Sequence, residues 1–223
     1  MLQSSDKKTF IKEIFTSLQG EGPYVGEKQI FVRFCRCNLK CKYCDTDFNQ
    51  KDAVEYSSCE LFEKLNTLDA EVVSFTGGEP LKEIEFLKDF FKKYKLNKKI
   101  YLETNGTLYK ELNSIIDFVN VVSMDIKLAS ATEQKNRFQD NEKFLDLANK
   151  KEVFIKVVFD KNIKDEEIEN VVKIAKKYNN LIVLQPKMPI DKELAFEEVF
   201  EKFYSKHKNT RLIPQVHKFL NII

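Results

Sequence analysis

Four of the chain's five cysteines, Cys35, Cys37, Cys41 and Cys44, stand within ten positions, while Cys59 is isolated. In a chain read below as cytoplasmic, thiols this crowded point to metal or redox chemistry rather than to a disulfide framework. The run from Cys37 to Cys44 reads C-x3-C-x2-C and puts three soft sulfur ligands on one short loop. That is one ligand fewer than a cubane cluster has irons, so such a cluster keeps one iron open to a substrate or cofactor. The alternative is a zinc site that recruits Cys35 as fourth thiolate, although the C-x-C step from Cys35 to Cys37 is not the paired spacing of a zinc knuckle. Cys35 and Cys59 are otherwise expected as a strand-end thiol and a helix N-terminal thiol without catalytic duty.

Other polar clusters follow apolar runs at regular intervals. Thr76-Gly77-Gly78-Glu79-Pro80 combines glycines that allow close backbone approach with a carboxylate that can accept from an ammonium. Taken alone it also reads as an ordinary turn. Glu103-Thr104-Asn105-Gly106, Asp125-Ile126-Lys127 and Gln185-Pro186 recur in the same relation to their apolar runs.

The elements that must position these clusters alternate short β-branched or apolar runs with longer stretches at helical spacing, the pattern of βα units around a mostly parallel sheet. Strands are expected at Gln29–Phe34, Glu71–Phe75, Lys99–Glu103, Val121–Met124, Val153–Phe159 and Leu181–Leu184. Helices are expected from a capping box at Ser57 and Glu60, from the apolar face Ile84, Leu87, Phe90, Phe91 and Tyr94, and over Asp165–Tyr178 and Lys192–His207. Six such units fall short of an eight-stranded barrel, so the expectation is a partial barrel with its chemistry at the C-terminal ends of the strands.

The 223 residues are 43% hydrophobic with 37 basic against 35 acidic side chains. A chain of this size buries roughly 70% of its unfolded surface, and 19 Phe and 8 Tyr are available for that core. The lysines are interleaved with acids, which argues against a nucleic-acid footprint. No apolar run approaches a membrane span, and Met1–Lys8 is polar, unlike a signal peptide. The expectation is a cytoplasmic chain forming one domain over residues 1–223, with residues 1–27 as an N-terminal segment before a partial barrel over 28–223.

The cysteine loop resembles the radical S-adenosylmethionine superfamily, whose C-x3-C-x-aromatic-C signature is met by Cys37, Cys41, Tyr43 and Cys44. Gly77-Gly78-Glu79-Pro80 is similar to its cofactor-amine motif. The resemblance narrows to the 7-carboxy-7-deazaguanine synthase family through Ser17-Leu18-Gln19-Gly20-Glu21-Gly22, Phe31-Val32-Arg33-Phe34, Cys44-Asp45-Thr46, Glu103-Thr104-Asn105-Gly106, Ser123-Met124-Asp125-Ile126-Lys127, Leu184-Gln185-Pro186 and Gln215-Val216-His217-Lys218, in order along nearly the whole chain.

What the resemblance implies is a partial (β/α)6 barrel that rearranges 6-carboxy-5,6,7,8-tetrahydropterin to 7-carboxy-7-deazaguanine with loss of ammonia, a step toward queuosine in tRNA. Cys37, Cys41 and Cys44 would carry a [4Fe–4S] cluster. Tyr43, Thr76, Gly77, Gly78, Glu79, Thr104, Ser123, Lys127 and Gln185 would bind S-adenosylmethionine, Lys127 either pairing with its carboxylate or merely with Asp125. Thr46 would ligate Mg²⁺, an ion suited to hard oxygens and retained waters. The pterin would be held by Leu18, Gln19, Glu21, Arg33, His217 and the carboxylate of Ile223, with Arg33 offering a bidentate fork. The family also implies a homodimer and an electron donor such as flavodoxin or ferredoxin. One departure stands out: the family usually has a small residue and Gly before the first cluster cysteine, where this chain has Cys35 and Arg36. The competing readings are a glycyl-radical activase and a zinc-stabilised module without catalysis.

Overall fold

The computed structural model describes residues 6–44 and 50–222. Its strands are β1 (Lys8–Leu18), β2 (Lys28–Phe34), β3 (Val54–Ser57), β4 (Val72–Gly77), β5 (Lys99–Thr104), β6 (Val121–Asp125), β7 (Glu152–Phe159), β8 (Ile182–Pro186) and β9 (Thr210–Leu212). Its helices are α1 (Ser58–Asn66), α2 (Ile84–Lys93), α3 (Tyr109–Leu112), α4 (Ala129–Thr132), α5 (Phe138–Ala148), α6 (Asp165–Lys176), α7 (Phe196–Tyr204) and α8 (Val216–Leu220). The strands form one open sheet in the order β3-β1-β2-β4-β5-β6-β7-β8-β9. From β2 to β9 neighbours run parallel, while β1 and β3 are antiparallel additions at one edge.

The six expected strands are present, each within two residues of its expected ends. The expectation omitted β1, β3, β9 and the helices α3, α4, α5 and α8. The helix expected over Lys192–His207 is confined to Phe196–Tyr204, and that expected to Tyr178 ends at Lys176. The capping box at α1 is formed: the Glu60 amide donates to Ser57 Oγ at 3.2 Å and the Ser57 amide to the Glu60 carboxylate at 2.8 Å.

Side chains alternate across each strand, and the two faces carry different chemistry. One face presents Phe75, Leu102, Val122, Ile155 and Leu184 to the helices, where Leu61, Phe90, Phe144, Val171 and Phe203 complete a dry core. The other face begins at the N-terminal ends of the strands with a smaller apolar layer of Val72, Tyr101, Val121, Phe154 and Val183. Tyr24 closes that layer edge-on against Tyr101, ring centroids 5.4 Å apart. Two residues further along the same face the side chains turn polar: Ser74, Glu103, Ser123, Lys156 and Gln185. The inner face is thus an apolar floor under a polar layer.

Candidate active site

The cysteine loop is anchored at its root by the turn after β4. The Gly78 amide donates to the Phe34 carbonyl at 2.9 Å and the Glu79 amide to the Arg36 carbonyl at 2.7 Å. A Cβ on Gly77, whose φ is +107°, would lie 2.4 Å from Phe34 backbone atoms, and one on Gly78 would lie 2.2 Å from the Arg36 carbonyl oxygen. The close approach that requires glycine here is therefore between two protein backbones. Asn105 Nδ2 donates to Asn38 Oδ1 at 2.8 Å, and Asn38 Nδ2 donates to Thr107 Oγ1 at 2.9 Å, so the turn after β5 holds the loop from its other side. The Arg36 guanidinium makes two 2.6 Å bonds to buried Glu83, which also accepts from Thr9 Oγ1 at 2.8 Å.

The loop opens onto a cavity of about 430 Å³. Cys37, Cys41 and Cys44 all line it, whereas Cys35 is buried at 1% exposure and is not part of the wall. Of the residues expected to meet S-adenosylmethionine, Tyr43, Thr76, Gly77, Gly78, Thr104, Ser123, Lys127 and Gln185 are on the wall. Glu79 is behind it, fully buried, accepting from Thr104 Oγ1 at 2.8 Å and from the amides of Asn105 at 2.8 Å and Leu81 at 3.1 Å. Burial raises its carboxyl to about 7, against the pull of those donors.

Lys127 Nζ bonds Asp125 Oδ2 at 2.9 Å and the Tyr43 hydroxyl oxygen at 3.2 Å, and stands 5.2 Å from the Tyr43 ring centre. Burial opposes its charge, but the groups around it, Asp125 first among them, together hold the ammonium well above the usual lysine range. Gln185 is 1% exposed, and neither atom of its amide has a hydrogen-bond partner. Asp125 Oδ1 is likewise unpartnered. Buried polar atoms are rarely left so, and on a cavity wall they mark where a polar ligand is received.

Of the residues expected to meet the pterin, Leu18, Gln19, Glu21, Arg33 and His217 also line the cavity. Leu18 pairs with Lys28 at the start of β2, so Gln19–Glu21 arrive from the end of that strand opposite the cysteine loop. The expectation that all the chemistry sits at C-terminal strand ends is corrected here: antiparallel β1 delivers its turn from the opposite direction. Gln19 Nε2 donates to Glu103 Oε1 at 2.9 Å, and Thr76 Oγ1 donates to Glu103 Oε2 at 2.6 Å. Glu21 Oε2 meets Lys156 Nζ, and its Oε1 accepts from Gln215 Nε2 at 2.6 Å. Burial alone would raise the Glu21 carboxyl, but the Lys156 ammonium holds it below the usual carboxylate range.

His217 packs directly on Gly20, where a Cβ would lie 2.3 Å from its Nδ1, and the Val216 amide donates to the Gly20 carbonyl at 2.8 Å. Arg33 lines the cavity with its Nε 3.3 Å from Glu13 Oε2 and its guanidinium 5.3 Å from the Phe15 ring centre. Thr46 and Ile223 lie outside the described residues. Lys156 is not among the residues the sequence points to, although a lone lysine inside the apolar run Val153–Phe159 is a signal for it. Glu103 enters there only within a polar run, and Asp125 also as an alternative partner of Lys127.

Residues 31–180 match the Radical SAM superfamily model. The chain is 30% identical to a 7-carboxy-7-deazaguanine synthase of Geobacter sulfurreducens over 94% of this chain and 96% of that protein. It is 33% identical to one of Archaeoglobus fulgidus over 94% of this chain and 97% of that protein. Among solved structures it resembles QueE from Escherichia coli with a TM-score of 0.64 at 22% identity, covering 94% of this chain and 95% of that one.

Proposed function

The chain belongs to the 7-carboxy-7-deazaguanine synthase family of the radical S-adenosylmethionine superfamily, and from that premise we propose that its cavity converts 6-carboxy-5,6,7,8-tetrahydropterin to 7-carboxy-7-deazaguanine with loss of ammonia. The observation that supports this reading is one cavity whose wall carries Cys37, Cys41 and Cys44 together with Gln19, Glu21, Glu103 and Lys156. A [4Fe–4S] cluster and S-adenosylmethionine, both implied by the family, supply the one-electron reduction and hydrogen abstraction when bound.

The donor set suits those groups. Three thiols on one loop match a cluster with one open iron, and the unpartnered amide of Gln185 and Oδ1 of Asp125 offer a donor and acceptors to a polar cofactor beside them. What the side chains contribute is placement, which decides which hydrogen is lost. Glu21 and Gln19 present acceptors and a donor to the edge of a pterin, and Arg33 offers its guanidinium to the substrate carboxylate. Glu79 serves from behind the wall, fixing Thr104 and Asn105.

The same proposal includes Mg²⁺ held by the Thr46 hydroxyl, an electron donor of the flavodoxin or ferredoxin kind, a homodimer, a single domain and a cytoplasmic setting. No helix among the described residues is long and apolar enough to cross a membrane.

The test is to incubate reduced enzyme with S-adenosylmethionine and carboxytetrahydropterin and follow the product's ultraviolet spectrum. Appearance of the deazapurine chromophore supports the reading. Cofactor cleavage without any pterin conversion overturns the substrate assignment. Anaerobic protein holding one zinc instead of about four irons overturns the cluster as well.

A further inference from the structure

Strand β7 is buried at every position after Glu152, Lys156 included. A lysine in such a strand is costly unless its ammonium is matched by carboxylates. Two meet it: Glu21 Oε2 and, at 3.2 Å, Asp125 Oδ2. These two carboxylates are not equivalent. Asp125 has a second cation, Lys127, at 2.9 Å. Glu21 also accepts from the neutral amide of Gln215 among the described residues.

We propose that Lys156 is a positioning residue that keeps Glu21 an anionic acceptor, and thereby makes the cavity select a heterocycle edge built of adjacent N–H donors. The inference rests on the pterin reading given above and deepens it. The groups that face this pair are Asp125 and Lys127 from the end of β6, Glu103 and Tyr101 from β5, and His217 from α8. Without the Lys156 ammonium, Asp125 would still be paired, while Glu21 would be a buried carboxylate in the field of two others. A carboxyl in that position takes up a proton. It would then offer an O–H where the 2-amino-4-oxopyrimidine edge of a pterin needs an acceptor, and the site would turn away the ring it is shaped to hold.

The experiment uses anaerobically reconstituted holoenzyme and the oxidised, fluorescent analogue 6-carboxypterin. Binding is measured between about pH 5.5 and about pH 7.5, where a Glu21 relieved of its cation would titrate. Wild type is expected to bind with little pH dependence. Lys156→Met is expected to bind roughly ten- to hundred-fold more weakly at the acid end, the loss of one charge-assisted hydrogen bond, and to recover as the pH rises. Lys156→Arg should restore acid-end binding, and Lys156→Met placed on Glu21→Gln should add nothing to the loss from Glu21→Gln alone.

Because Lys127 keeps Asp125 paired, S-adenosylmethionine binding, followed by calorimetry, should fall much less than pterin binding in Lys156→Met. Equal pterin affinity in wild type and Lys156→Met, or a loss that no rise in pH recovers, overturns the role of Lys156 while leaving the substrate reading intact. Wild type that fails to bind the pterin overturns both. Should Lys156→Met not fold, Lys156→Gln carries the same expectations.

Discussion

Arg36 directly precedes the first cysteine that lines the cavity, and its pairing with Glu83 gives a measurable prediction. The perturbation is Arg36→Met. Arg36 is 56% exposed by side chain and Glu83 only 6%, so the pair lies between two regimes. Exposed ion pairs contribute at most about 1 kcal/mol, whereas removing one partner of a buried pair costs about 3–5 kcal/mol. Glu83 would keep only its hydrogen bond from Thr9, so we expect a loss of about 2 kcal/mol, discounted for the solvent around Arg36. At this chain length that lowers the thermal midpoint by about 4–8 °C.

The same change loosens the residue directly before Cys37, so iron retained after anaerobic reconstitution should fall alongside the midpoint. The double variant Arg36→Met with Glu83→Leu removes the stranded charge as well and should recover most of the thermal loss. A midpoint within about 1 °C of wild type in Arg36→Met, or a double variant no better than the single, would refute the reasoning.

Other consequences of the geometry are equally open to measurement. Gly78→Ala forces a methyl to within 2.2 Å of the Arg36 carbonyl oxygen, and its iron content should drop well below the about four per chain of a cubane. Gly20→Ala should displace α8, which buries no residue of its own; stability should change by less than about 1 kcal/mol, while pterin KM rises about ten-fold through loss of the Gln215–Glu21 bond. Glu79 is raised in the folded protein from 4.5 to about 7, so the native state binds the extra proton across that window and stability falls as pH rises through it. The total change across the window amounts to on the order of 3 kcal/mol and should vanish in Glu79→Gln, as read by denaturant unfolding of the cluster-free protein at a series of pH values.

The parallel strands β2 and β4 to β8 were legible because they are largely buried on both faces and read as near-continuous apolar runs. Strand β1 carries Lys12, Glu13 and Thr16 among its apolar residues and is half exposed, and β3 and β9 are only four and three residues long, so neither length nor pattern announced them. The cysteine loop was legible for a related reason: its ligands are neighbours in sequence. Lys156 and Glu21 are 135 positions apart, and no local pattern states that two distant charges will meet. The trace they leave is indirect. Ser74, Glu103, Ser123, Lys156 and Gln185 each interrupt an apolar strand at an inner-face position, and five such interruptions at matching depth describe the wall of a cavity.

The bond between Gln215 and Glu21 spans 194 positions, which orders events during synthesis. The neighbouring strands β4 to β8 also come one after another along the chain, so the parallel sheet can grow behind the ribosome as each unit emerges. The cysteine loop and its anchoring turn are complete early in that growth. The far wall waits until residues 215–217 return to Gly20, and closing a loop of that size is among the entropically dearest contacts in the molecule. A nascent chain thus completes the loop that carries its thiols before it has a finished pocket.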